Sequence, residues 1–266
     1  MKKLPFVILL ITASCSVTPK MSTSKINNTN IVVDGKIFAT AYQQNAAEYR
    51  ALCLQAFNIA HKRIEEISLA KTEKAKAIIT DIDETILNNS AYEVHQTLQG
   101  KDFEATSWHQ WALMENADTV PGALTFLKFA SSQGIEIFYV TNRAERERDA
   151  TLKNLQKFNF PNADTAHLFP SVNSSSKEAR RQFISSTHDV VMLMGDNLGD
   201  FSSLFDKKNN QERIENVNSV TAEFGDRFIV LPNPVYGDWE TSLYHYDYSL
   251  TQAQKDSIIK ASVKGY

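Results

Sequence analysis

Cysteine is scarce in this chain: 266 residues carry two, Cys15 and Cys53. Cys15 falls in an N-terminal leader, so one cysteine is left to the folded part and no internal disulfide can form. Cys53 lies within an apolar helical pattern and reads as packing. No charge of one sign dominates, since 28 basic and 31 acidic residues leave a net charge of −3. That balance lacks the electrostatic footprint of a nucleic-acid binder. The one arginine cluster, Arg143, Arg146 and Arg148, alternates with Glu145 and Glu147 and reads as a solvated helix face. The six histidines show no metal-ligand spacing, and neither a glycine-rich phosphate loop nor an internal repeat is present.

The first residues read as an address. Lys2 and Lys3 precede the apolar stretch Leu4 to Ala13, which is too short to span a bilayer and has the form of a signal peptide over residues 1–14. Thr12-Ala13-Ser14-Cys15 resembles a bacterial lipobox, with Thr12 where leucine is usual, so Cys15 is the expected site of lipidation. Ordinary signal-peptidase cleavage is the alternative. Residues 15–38, beginning with the polar run Ser16 to Asn30, then read as a tether holding the domain off a membrane. The location this implies is the bacterial cell envelope, with the outer membrane as first choice.

Over the full 266 residues, 42% hydrophobic content suffices for a substantial core. Apolar residues recur at helical spacing from Ala39 to Ile67. The β-branched run Ala75 to Thr80 then delivers two carboxylates, Asp81 and Asp83, into a turn. Unpaired buried carboxylates are costly, so something must neutralise them, and Mg²⁺ suits an oxygen-rich site of this kind. Residues 88–120 are too long for a simple crossover and read as a cap holding Trp108 and Trp111, whose spacing fits a core stripe, with a substrate-facing role as the alternative for Trp108.

A helix is expected over Ala123 to Ser132 and a strand over Ile135 to Val140, ending at Thr141-Asn142. Asn142 and Glu145 have capping-box spacing, which puts Thr141 at a strand-to-helix junction suited to phosphate. Ser175 and Glu178 form a second such pair and place Lys177 in a first helical turn, where a cation opposes the helix dipole. Lys177 there faces either a negative group or solvent. The strand Asp189 to Met194 ends in Gly195-Asp196-Asn197-Leu198-Gly199-Asp200, a second carboxylate pair in which Asp196 is placed to meet Asp81 and Asp200 fits a helix cap. A helix at Gln211 to Ala222, a strand at Arg227 to Leu231, an aromatic loop Pro232 to Trp239 and a helix at Thr251 to Val263 complete the chain. This alternation predicts an α/β fold, a parallel sheet with helices on both faces, with ligands collecting at the carboxyl ends of the strands.

Taken together, Asp81-Ile82-Asp83-Glu84-Thr85, Thr141-Asn142-Arg143, Lys177 and Gly195 to Phe201 resemble the four motifs of the haloacid-dehalogenase (HAD) superfamily. More narrowly, the chain is similar to its class C acid phosphatases with four aspartates, the lipoprotein 5′-nucleotidase branch. The departures are Asn88 for an aspartate, Thr80 for an aliphatic residue and Met192 for a β-branched one. The resemblance implies a HAD-like Rossmannoid core at about 68–87 and 121–250, with a smaller, mostly helical cap or accessory region from 39–67, 88–120 and the C-terminal helix.

It also implies that Asp81 attacks phosphorus to form an aspartyl phosphate and that Asp83 protonates the leaving oxygen and later activates water. Mg²⁺ would be held by Asp81, Asp196 and the carbonyl of Asp83, with Asp200 orienting a bound water. Thr141, Asn142 and Lys177 would hold phosphate, and Trp108 and Tyr236 would sandwich the substrate ring. The implied activity is Mg²⁺-dependent hydrolysis of nucleoside 5′-monophosphates, nicotinamide mononucleotide or aryl phosphates. Two alternatives are a surface nucleotide-binding lipoprotein without turnover and a phosphatase for sugar phosphates. The expected partners are small phosphomonoesters, a membrane through the lipid anchor, and a second copy of the chain through Phe126, Phe129 and Leu204.

Overall fold

The computed structural model describes residues 30–266, so the expectations for the leader, Cys15 and the tether up to residue 29 lie outside the described residues. Helix α1 (Ile31–Asn45) is followed by α2 (Ala47–Ser68) and then strand β1 (Lys76–Thr80). An insertion holds β2 (Leu87–Asn88), α3 (Ser90–Leu98), α4 (Ala105–Leu113) and β3 (Asp118–Thr119). The chain continues through α5 (Ala123–Ser132), β4 (Glu136–Ala144), α6 (Arg148–Lys157), β5 (Leu168–Ser171), α7 (Glu178–Thr187) and β6 (Asp189–Gly195). It closes with α8 (Asn210–Ser219), β7 (Phe228–Val230), α9 (Asp238–Thr241) and α10 (Gln252–Ser262). Among the described residues no helix is long and apolar enough to cross a membrane.

The main sheet has the order β5-β4-β1-β6-β7 with every pairing parallel, the expected α/β architecture. Strand β1 is central, and its near-continuous apolar run is what burial on both faces requires. Alternation divides the sheet between two cores. Ile78, Ile137, Tyr139, Met192 and Met194 face a large cluster under α2 and α5, whereas Ala77, Ile79, Phe138, Val140 and Leu193 face a smaller one containing Ile184 of α7. The central position of β1 sends Asp81 out between the ends of β4 and β6.

Three expectations need correction. Helix α1 starts at Ile31, inside the stretch 15–38 assigned to the tether. Asn30 caps that helix through Val33 N–H (3.2 Å), and the carboxylate of Asp256 accepts the N–H groups of Ile31 (3.1 Å) and Val32 (3.2 Å) from α10. Helix α2, assigned to the accessory region, belongs to the sheet layer, because Tyr49, Cys53, Phe57 and Ile64 are fully packed in the larger core. The insertion 88–120 holds two helices closed by the antiparallel β2–β3 pair. Of the residues expected at a dimer contact, Phe126 is buried in the core and Phe129 packs against it, stacked on His61 at 3.6 Å; Leu204 alone is exposed.

Candidate active site

Asp81 follows β1 directly, and its N–H donates to Met194 O at 2.9 Å, so the sheet register itself brings it beside the end of β6. There it meets the carboxylates that the turn after β6 supplies: one carboxylate oxygen from each of Asp81, Asp196 and Asp200 lies within 4.8 Å of the others. Gly195 makes this approach feasible. A Cβ on residue 195 would stand 2.6 Å from Asp200 Cγ and closer still to its Oδ2. Asp196 is further held by Asn233 Nδ2 at 2.7 Å and by Thr85 Oγ1 at 3.2 Å. Asp200 Oδ2 accepts Asn197 N–H at 3.0 Å, so it does cap its turn while its other oxygen faces the cluster.

Lys177 lies between these groups. Its buried ammonium pairs with Asp81 and, at 2.6 Å, with Asp200 Oδ1. The expected first-turn position is shifted by one: α7 starts at Glu178 and Lys177 is its N-cap residue, with Ser176 Oγ accepting Glu178 N–H at 3.4 Å in place of Ser175. The carboxylates settle which group Lys177 faces. Burial is the largest influence on Asp81 and lifts its carboxyl above the ordinary range, against the pull of Lys177 and with the repulsion of Asp200 and Asp83. Burial and then the negative charges of Asp200 and Asp81 lift Asp196 likewise. Three carboxylates against one ammonium leave a buried excess of negative charge, and the donors are all hard oxygens. A divalent cation such as Mg²⁺ fits that donor set and that deficit.

Asp83 is held separately, by Arg143. Its Oδ1 accepts Arg143 Nη2 at 2.8 Å, Arg143 Nε at 3.0 Å and Asn89 Nδ2 at 2.8 Å, while Oδ2 takes only Arg143 Nε at 3.2 Å. The reading of Arg143 as part of a solvated helix face is therefore wrong: the residue is 2% exposed. The cause is local. Strand β4 runs on to Ala144, so the expected cap at Asn142 does not form, and the period of two puts Thr141 and Arg143 on the buried side with Asn142 exposed. The helix start falls later, with Glu147 Oε2 accepting Ala144 N–H at 3.0 Å. Thr141 is buried at this level and its hydroxyl accepts Arg143 N–H at 3.1 Å.

A cleft of about 630 Å³ opens over these groups and is lined by Asp81, Asp83, Asp196, Asn142, Trp108 and Tyr236 among others. Trp108 thus belongs to the cleft, with Arg143 over its ring at 5.5 Å and Tyr92 edge-on at 5.2 Å. Trp111 has a different task, donating Nε1–H to Asn89 Oδ1 at 2.9 Å behind Asp83. Sequence reasoning missed Arg143, Asn89 and Glu84. Glu84 is buried in the left-handed region (φ 57°), accepts Asn89 N–H at 2.7 Å and receives the Tyr236 hydroxyl, which fixes Tyr236 at the cleft. Burial, then the charge of Asp83, pushes the Glu84 carboxyl up to about 7. Its signal was present as an acid with no solvent-facing reason beside Asp83.

A cleft at the carboxyl ends of a parallel sheet, with paired aspartates after two central strands and a buried lysine between them, defines a HAD-type hydrolase site, and comparison with known proteins agrees. The family model for "HAD superfamily, subfamily IIIB (Acid phosphatase)" matches residues 10–239, so the chain belongs to that subfamily, whose members are phosphomonoester hydrolases. The class C acid phosphatase of Bacillus anthracis superposes with a TM-score of 0.85 at 37% identity, covering 88% of this chain and 99% of that one. Its structure with tungstate bound gives 0.86 at 36% identity, covering 89% and 99%. Acid phosphatase 1 of Solanum lycopersicum is 28% identical over 82 residues, 31% of this chain, and the chain spans about a third (32%) of that relative's length.

Proposed function

We propose that this protein is a Mg²⁺-dependent acid phosphomonoesterase of the 5′-nucleotidase type, acting on nucleoside 5′-monophosphates, nicotinamide mononucleotide or aryl phosphates through an aspartyl phosphate on Asp81. The observation that carries the reading is the convergence of Asp81, Asp196 and Asp200 around Lys177, with Asp83 held apart by Arg143. Tungstate bound by the Bacillus anthracis relative, a tetrahedral oxyanion shaped like phosphate, supports a phosphate site on this fold.

In the first step Asp81 attacks phosphorus, the bond to the leaving oxygen breaks, and Asp83 gives that oxygen its proton. Asp83 Oδ2, which accepts only one 3.2 Å bond, has the capacity to carry that proton. In the second step water attacks phosphorus, Asp83 takes its proton, and the bond to Asp81 breaks to release phosphate. Lys177 stabilises charge on the phosphoryl oxygens and favours the ionised form of Asp81 against its burial. Asp81, Asp196 and the carbonyl of Asp83 would hold Mg²⁺, with Asp200 beside it; the cation, when bound, neutralises the phosphoryl oxygens and lets an anionic nucleophile approach an anionic ester. Trp108 and Tyr236 supply faces for a substrate ring, which favours nucleotides and aryl esters over sugar phosphates.

Lipidation at Cys15 would attach the protein to the bacterial cell envelope, at the outer membrane, where phosphomonoesters too charged to cross intact could be cleaved. The functional test is steady-state hydrolysis of nucleoside 5′-monophosphates, nicotinamide mononucleotide, phenyl phosphate and glucose 6-phosphate, with Mg²⁺ and with EDTA. The expected result is metal-dependent turnover of the ring-bearing esters above the sugar phosphate. Equal turnover with EDTA, or preference for glucose 6-phosphate, would overturn the metal or substrate assignment respectively.

A further inference from the structure

The cleft over Asp81 is also lined by five charged side chains from its accessory side: Lys36 of α1, Glu93 of α3, Asp102, Glu240 of α9 and Lys255 of α10. Four of them are paired. Lys36 Nζ lies 2.5 Å from Asp102 Oδ1 and 3.6 Å from Glu240, and Lys255 Nζ lies 3.0 Å from Asp102 Oδ2. Glu240 also accepts the Tyr244 hydroxyl at 3.1 Å. Glu93 is different: the residue is 5% exposed and its carboxylate has no hydrogen-bond or ion-pair partner among the described residues. A carboxylate placed this way, lining the cleft with no donor on the protein, has its acceptors free for a donor that a ligand brings. Burial, only partly countered by the field of Lys36, pushes its carboxyl up to about 7.

Position adds a second argument. Glu93 follows Tyr92 on α3, and Tyr92 is the residue whose ring backs Trp108 edge-on. The helix that supports the stacking face thus carries, one residue on, an unfilled acceptor open to the same cleft. A site built with a buried acceptor discriminates strongly against ligands that bring no donor to it.

We propose that Glu93 is a specificity-determining residue that accepts a hydrogen bond from an N–H group on the ring of the leaving group. The cleft then selects nucleoside monophosphates whose base carries an amino group over otherwise identical ones that lack it. This assignment rests on the nucleotide reading given above.

The test compares kcat/KM for adenosine 5′-monophosphate with that for purine riboside 5′-monophosphate, which differs by the missing amino group, in the wild-type protein, E93A and E93Q. Phenyl phosphate serves as a ringed ester with no nitrogen. Because the ratio is taken within one enzyme, any general loss of fold or activity cancels. The expected wild-type ratio is about tenfold or more in favour of the amino-purine, expressed in KM rather than kcat. It should fall to near one in E93A and to an intermediate value in E93Q, whose amide retains one acceptor oxygen. A wild-type ratio near one, or a ratio unchanged in both variants, overturns the assignment while leaving the nucleotide reading intact. Turnover of phenyl phosphate with no hydrolysis of either nucleotide brings down the nucleotide reading, and the assignment with it.

Discussion

Replacing Arg143 by glutamine is the perturbation whose outcome the geometry constrains most tightly. The substitution removes three contacts to Asp83, at 2.8, 3.0 and 3.2 Å, and leaves Asn89 Nδ2 as its remaining side-chain donor. It also removes the guanidinium above Trp108. Breaking a buried pair by deleting one partner typically costs about 3–5 kcal/mol. The Asp83 side chain is 14% exposed, so partial rehydration reduces this to roughly 2–4 kcal/mol of stability. The kinetic effect depends on the substrate. A proton donor contributes about 10²–10⁴-fold, and a misplacement of about 1 Å forfeits roughly 10² of it. That loss applies where the leaving oxygen needs the proton, as the alkoxide of a nucleotide ribose does. The nitrophenolate of p-nitrophenyl phosphate leaves without it. R143Q is therefore expected to lose about 100-fold in kcat/KM, which reports the first step and not the dephosphorylation the two esters share, on adenosine 5′-monophosphate and less than about 10-fold on p-nitrophenyl phosphate, measured side by side under saturating Mg²⁺. Equal losses on the two esters would refute the role given to Asp83 and the claim that Arg143 acts through it.

Gly195→Ala forces the Asp200 side chain away from its place beside Lys177, because the new Cβ falls 2.6 Å from Asp200 Cγ. Displaced supporting groups cost metal sites about 10–100-fold, so the Mg²⁺ concentration giving half-maximal activity should rise by that order; an unchanged metal titration would count against the aspartate cluster as the metal site. Asp102 predicts a pH effect. Burial opposes its ionisation, but Lys36 and Lys255 outweigh burial and hold its carboxyl far below the usual range. A carboxylate depressed in the folded state stabilises above the unfolded value near 3.9, and the contribution is lost as pH falls through that value toward the folded one. Asp102→Asn should therefore lower the melting temperature at pH 7 and flatten its decline between about pH 5 and pH 2. A parallel shift at every pH would contradict the pairing.

The legible parts of this chain were those written into a single strand and its exit. Val, Ile and Met runs with no polar alternation announced β1, β4 and β6, and carboxylates placed where such runs stop announced Asp81, Asp83 and Asp196. What was not legible depends on distant residues. Ile31, Val32, Val33 and Gly35 are poor helix formers, and α1 starts there because Asp256, more than 220 residues away, caps it. Strand β5 contains Pro170 and is short, so no periodicity marks it; the edge of the sheet tolerates it. Arg143 was hidden by a competing local signal, since Asn142 and Glu145 have the spacing of a cap. The strand continued because Asp83, sixty residues earlier, offers the guanidinium a partner in the interior. Glu84 needed the Pro232 to Trp239 loop in place before its acceptors had a donor in Tyr236.

The central claim is that Asp81 carries the phosphoryl group between the two steps. A single turnover with a nucleoside 5′-monophosphate in Mg²⁺, quenched in acid and digested, tests it directly by locating phosphate on the peptide that spans Ile79 to Leu87. The expected result is acid-stable phosphate on Asp81, more of it when Asp83→Asn is given p-nitrophenyl phosphate, whose leaving group needs no proton while the second step lacks its base, and none in Asp81→Asn, which should release no phosphate. Normal turnover by Asp81→Asn, or phosphate release with the peptide never labelled in either of the other two proteins, would contradict it.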